Sequence, residues 1–234
     1  MKLQDIFEKK VEFKLSNKSI HGLLQNNKLE HLGTGVSAIA YAHKKRPNTV
    51  IKTIQMLHKD DVMFAFIRLC INHKSNPFFP KIYAAKLYNI KRMNDEEREQ
   101  LYQLIDPTDT PPEEGMYIML VVMEKLYPIH TPENREIAIK LLRELGIVPQ
   151  NIDDVPLDIR GTRDSLSRTK YPFEDPNIRH QLRHSSANSK FKEALRLLEP
   201  LFNVSEPDLH KKNIMLRKTN NGPEIVLVDP VVSV

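Results

Sequence analysis

The sequence predicts an α+β protein in two lobes, a strand-rich lobe over residues 1–126 and a reduced, mainly helical lobe over residues 127–234. Three observations carry this expectation. Strand-like runs cluster in the first half, at 31–41, 50–54, 81–88 and 116–123. Helical amphipathic spacing marks the second half, at 133–145 and 189–202. Between them, the apolar run Met116 to Met123 gives way to Glu124, Lys125 and Leu126, and Pro128 breaks the strand.

The elements follow in order. Residues 1–30 carry Leu3, Ile6, Phe7, Val11 and Phe13 at helical spacing, which predicts one or two short helices. His31 to Tyr41 reads as a hairpin holding Gly33 and Gly35. Arg46 to Thr49 reads as a turn, and Val50 to Ile54 as a β-branched strand interrupted by Lys52. A helix is expected over 60–73, with Asp60 and Asp61 in its first turn, ending at the Asn76 to Pro80 segment. A strand over 81–88, a charged helix over 95–105 and a Pro-rich turn over 106–115 come next. Residues 149–188, rich in Asp, Arg, Ser, Pro and Asn, predict a loop or insertion. Near the end, Asn220, Asn221 and Gly222 form a turn before the strand Glu224 to Asp229.

Composition narrows the function classes. The 234 residues suffice for a real core, and 40% hydrophobic with 28% charged residues is an ordinary globular balance. Met116 to Met123 is too short to span a bilayer, and the charged Met1 to Lys10 stretch does not resemble a secretory signal. The single Cys70, on the core side of its helix, excludes an internal disulfide framework and favours a reducing, cytoplasmic setting. The net charge of +5, with a pI of about 9.1, suits phosphate-bearing ligands or acidic partners. The basic residues are scattered, as at Lys44, Lys45 and Arg46 or Lys211 and Lys212, which argues against a nucleic-acid partner.

Four signals carry chemistry. Gly33-x-Gly35-x-x-Ala38 is a hairpin whose backbone can approach phosphate oxygens; Gly33, Thr34, Gly35, Val36 and Ser37 are the candidate nucleotide contacts. A lone GxG equally fits a plain tight turn, and Ala38 stands where a third glycine would complete GxGxxG. Lys52 within a strand is a candidate phosphate ligand. Asp208 followed by Asn213 has the D-x-x-x-x-N spacing of a catalytic loop, with Asp208 to orient a hydroxyl and Asn213 to ligate Mg²⁺. Asp229, ending an apolar run across a hairpin from Asn213, is the second candidate metal ligand. Main-chain groups at Glu124 and Leu126 are candidates for the adenine edge, and His210 for a terminal phosphate or for bracing the loop.

Other residues read more simply. His180 and His184 lie four apart with no third ligand evident, which fits structural histidines better than a zinc site. Ser165, Ser167 and Thr169 sit in a basic stretch that reads as a solvated loop more readily than as an autophosphorylation site.

These residues resemble the protein-kinase-like superfamily, and within it the early serine/threonine protein kinases of T-seven-like bacteriophages. The resemblance rests on Leu32-Gly-x-Gly-x-x-Ala-x-Ala-Tyr41, Pro47-Asn-x-Val-Ile-Lys52, Asp208-x-His-x-x-Asn-Ile-Met215 and Asp229-Pro-Val231. It spans roughly residues 30–90 and 190–234. It implies a bilobal kinase-like fold, ATP and Mg²⁺ as cofactors, and transfer of phosphate to host proteins in the host cytoplasm. Glu206 replaces the usual histidine before Pro207-Asp208, the 60–73 helix offers no glutamate for Lys52, and the sequence runs five residues past Asp229. Two other expectations stand beside this one. One is a kinase-fold protein that binds and remodels a host protein without phosphorylating it. The other is a small-molecule kinase of the aminoglycoside type, which the Asp-x-His-x-x-Asn form also resembles.

Overall fold

A computed structural model describes residues 29–35, 38–56, 61–102, 117–146, 180, 183, 184, 186–205 and 213–230. The expected N-terminal helices, the 106–115 turn and the serines and threonine of the basic stretch lie outside these residues. The described chain is a mixture of helices and antiparallel sheets, and it divides into two compact units. One is drawn from Lys2–Asn72 and Lys81–Lys125, the other from His73–Pro80 and Leu126–Val232.

The first unit is a five-stranded antiparallel sheet. Its strands are β1 (Leu29–Thr34), β2 (Ala38–His43), β3 (Arg46–Met56), β4 (Ile82–Asn89) and β5 (Tyr117–Glu124), in the order β1-β2-β3-β5-β4. β3 begins at Arg46, so the expected turn over 46–49 is displaced to Lys44 and Lys45. The displacement has a physical source: a two-residue turn closes the hairpin, and Pro47 falls near the start of the strand, where its missing N–H is tolerated. α1 (Val62–Asn72) follows β3, with Asp61 just outside it, where Oδ1 accepts the Met63 N–H at 2.8 Å as a cap.

Alternation gives this sheet two distinct faces. On one, Ile51, Ile118, Leu120 and Val122 are buried with Ile90 and Leu101, and Tyr41, Ala84, Tyr88 and Met93 pack against them. Ile90 lies in a short 3₁₀ turn (Ile90–Arg92), and Leu101 in α2 (Asp95–Tyr102), so the chain after β4 covers this face. The other face carries Lys52.

The second unit combines α3 (Pro132–Glu144) and α4 (Ser189–Phe202) with a three-stranded sheet of β6 (Tyr127–Pro128), β7 (Ile214–Thr219) and β8 (Gly222–Leu227). It is thus less purely helical than the sequence suggests. β7 and β8 form a tight hairpin from Thr219↔Gly222 to Ile214↔Leu227, and Gly222, at φ 111°, supplies the left-handed residue the turn requires.

α4 buries Phe191, Ala194, Leu195, Leu198, Leu201 and Phe202, the face its spacing predicts. Each large side chain so buried contributes roughly 1.5–3 kcal/mol. Asn188 caps the helix, its Oδ1 accepting the N–H groups of Lys190 at 3.1 Å and Phe191 at 3.0 Å. Asn188→Ala should therefore lower stability by about 1 kcal/mol, read from the urea midpoint at unchanged slope. His73–Pro80 belongs to this unit through its hydrogen bonds: Asn76 Nδ2 donates to Lys190 O at 3.0 Å, and Leu227 N–H to Phe78 O at 2.9 Å.

Candidate functional site

In the first unit, register determines what surrounds Lys52. Paired residues on adjacent strands share a face. The pairs Gly33↔Ala40, Ala40↔Lys52, Lys52↔Val121 and Ala85↔Val121 therefore form one row across all five strands. Gly33 and Lys52 stand on the same face two strands apart, about 9–10 Å at ordinary strand spacing. Small side chains flank the lysine. Gly33, Ala40 and Lys52 are partly exposed, whereas Val121 and Ala85 are buried, so the exposed part of this row lies over β1 to β3.

The glycine hairpin does not need its glycines for its own geometry. Neither Gly33 nor Gly35 has a positive φ. A Cβ at Gly33 would meet nothing within 4 Å, and one at Gly35 would reach only Ala38 O at 3.4 Å. The turn is held by Gly35 N–H donating to Ala38 O at 2.7 Å. Leu32 interrupts the β1–β2 register just before Gly33 and is exposed. Thr34 Oγ1 lies 2.9 Å from His31 Nε2. Val36 and Ser37 lie outside the described residues.

α1, the helix that follows Lys52, contains no acidic residue. Arg68 is buried within it, its guanidinium carbon 5.6 Å from the centre of the Phe64 ring, and burial pushes its pKa down. Glu124 is also buried. Its carboxylate accepts the Lys81 N–H at 2.8 Å and its own N–H donates to Lys81 O at 3.0 Å. Both contacts tie the ends of β4 and β5 together, so the Glu124 side chain is structural.

In the second unit, the β7–β8 hairpin brings the two candidate metal ligands together. Asn213 immediately precedes β7 and Asp229 stands two residues beyond β8, so Asp229 is not part of the strand, contrary to the expected 224–229 range. Val228 N–H donates to Asn213 O at 2.9 Å, extending the ladder by one step and placing both residues at the same end of the hairpin. Asn213 is buried and Asp229 half-buried. An amide oxygen and a carboxylate are donor types that suit a hard cation such as Mg²⁺. Leu126 is buried in this unit, and Asp208 and His210 lie outside the described residues.

No family model matches this chain, and no curated protein matches it closely enough to show kinship.

Other features are set aside on chemistry. An open concavity of about 540 Å³ runs along α3, lined by Glu136, Ile139, Lys140, Arg143 and Glu144, but no expected site residue borders it. The ring centres of His180 and His184 lie 4.4 Å apart with the planes tilted by 47°, and among the described residues no three His, Cys, Asp or Glu side chains gather to hold a metal. Among those residues no helix is long and apolar enough to cross a membrane.

Sequence reasoning missed Arg217. Its strand spacing was visible, but nothing in sequence marks an arginine as buried, and this one is 4% exposed.

Proposed function

We propose that this chain is an ATP- and Mg²⁺-dependent phosphotransferase of protein-kinase-like, bilobal fold that phosphorylates serine or threonine hydroxyls of a protein. The observation that carries the reading is the partly exposed row joining Gly33 to Lys52 on one face. Protein kinases use a glycine hairpin over the phosphates, a lysine on the third strand and an acidic helix residue next in the chain. The first two have counterparts here in the same order. In this reading the Gly33 to Ser37 backbone approaches the phosphates and the Lys52 ammonium holds them. Asn213 and Asp229 hold Mg²⁺, which neutralises phosphate charge when bound. Asp208 takes the proton from the attacking hydroxyl as the γ-phosphoryl group leaves ADP for that oxygen.

Gly33→Ala provides the discriminating test. The space around Gly33 is open and its φ is ordinary, so alanine should leave the fold intact and stabilise it by about 0.4–1 kcal/mol. If phosphates approach this backbone, the same change should weaken ATP affinity about tenfold or more, a loss of roughly 1.4 kcal/mol. The measurement is calorimetric ATP titration with Mg²⁺, beside mass spectrometry for new phosphoserine or phosphothreonine. Unchanged affinity would remove the hairpin from the site.

One observation favours a second reading, a nucleotide-binding protein that acts by contact. Protein-kinase activity needs the lysine–glutamate pair, and α1 carries Arg68 and no acid. ATP binding without any phosphorylated product would select this reading.

A further inference from the structure

We infer that Arg217 is a positioning residue that holds the hairpin end bearing Asn213 and Asp229, an inference that rests on the metal-binding role proposed for that pair. Arg217 lies on β7 opposite Glu224 on β8, and its side chain is 5% exposed. Nη1 donates to Pro77 O at 2.7 Å and to Glu224 Oε2 at 2.9 Å, and Nη2 donates to Phe79 O at 2.8 Å. Between those two carbonyls, Phe78 O accepts the Leu227 N–H at 2.9 Å. Three successive carbonyls of the 77–79 strap are thus fastened to one hairpin, the outer two by a single guanidinium. A planar guanidinium holds two such acceptors in a fixed geometry; a lysine ammonium, a point charge on a flexible stem, does not fix their separation.

The fastening bears directly on the candidate ligands. Leu227 is the last residue of β8, the next N–H, of Val228, donates to Asn213 O, and Asp229 follows. The strap itself is tied to its own unit. Asn76, 2% exposed, donates to Lys190 O and accepts the Phe78 N–H at 3.0 Å, and the Phe78 ring packs 5.1 Å from that of Phe191. Arg217 therefore transmits the order of the strap to the hairpin end. Groups that orient metal ligands from behind commonly change affinity by about 10- to 100-fold when altered.

The test uses the full chain with Arg217→Lys, Arg217→Met and Glu224→Gln. Two quantities are read: amide exchange at Leu227 and Val228 against Val226, whose N–H faces Met215 across the ladder, in the apo protein, and Mn²⁺ binding with ATP. Arg217→Lys should speed exchange at Leu227 and Val228 while Val226 stays protected, and weaken Mn²⁺ by about 10- to 100-fold. Glu224→Gln, which leaves the strap carbonyls served, should move neither. Arg217→Met should exceed Arg217→Lys, and if it fails to fold, the lysine variant decides. A uniform rise in exchange across the hairpin means a merely structural arginine and overturns the inference. So does unchanged Mn²⁺ affinity in a variant whose wild type binds it. A wild type that binds no Mn²⁺ overturns the metal reading itself, and this inference falls with it.

Discussion

Asp229→Asn should leave the chain folded and abolish the phosphate transfer from ATP proposed for it. The substitution preserves side-chain volume while removing the charge and turning one acceptor oxygen into an N–H donor, so it reports on the carboxylate rather than on packing. Asp229 is half-buried beyond the end of β8, and the Val228 N–H to Asn213 O bond that aligns the hairpin end involves neither carboxylate oxygen. Loss of a group that acts on transition-state charge costs on the order of 10²–10³ in rate. Radiolabelled transfer onto the chain itself and onto a mixture of bacterial cytosolic proteins should fall by that factor or vanish, with the melting temperature little changed. Lys52→Met, which keeps the aliphatic stem between Ala40 and Val121, should do the same from the other unit. Transfer that survives Asp229→Asn would remove Asp229 from the chemistry and leave it as a turn residue.

The elements that local pattern dictates were legible in sequence. β5 is a continuous apolar run, α4 has its apolar residues on one face, and the Asn220-Asn221-Gly222 turn states its own geometry. Boundaries moved where a single contact decides them. Asp61 sits outside α1 because its carboxylate serves as a cap, and β3 starts early because a two-residue turn suffices.

The site was legible residue by residue, and its arrangement was not. Gly33 and Lys52 drew attention as types in an order, but their sharing of one row depends on two strand registers that no local pattern specifies. Glu124 shows the converse. Its place at the end of β5 suggested a main-chain ligand contact, while its carboxylate, to which the sequence assigned nothing, closes the β4–β5 end on the Lys81 N–H. Arg217 was invisible for a related reason: its burial comes from a strap far away in sequence.

That strap makes Phe191→Ala the most destabilising change expected in the core. Phe191 is fully buried, and its ring meets that of Phe78 at 5.1 Å and 55°. Collapse into the vacated space is opposed on both sides. Phe78 is held by its N–H to Asn76 Oδ1 and by its carbonyl to Leu227, and the Phe191 backbone is fixed by the Asn188 cap. A phenylalanine truncated where neighbours cannot close in costs about 3–5 kcal/mol. Set against a usual total of roughly 5–15 kcal/mol, that is enough to unfold a marginal chain. Ile137→Ala on α3, where the side chain is 41% exposed, should stay within about 0.5 kcal/mol by the same urea measurement. Similar losses from the two would mean that α4 and the 77–79 strap are loosely packed. A loose strap could not hold Leu227, and Arg217 would then have nothing rigid to fasten the hairpin to.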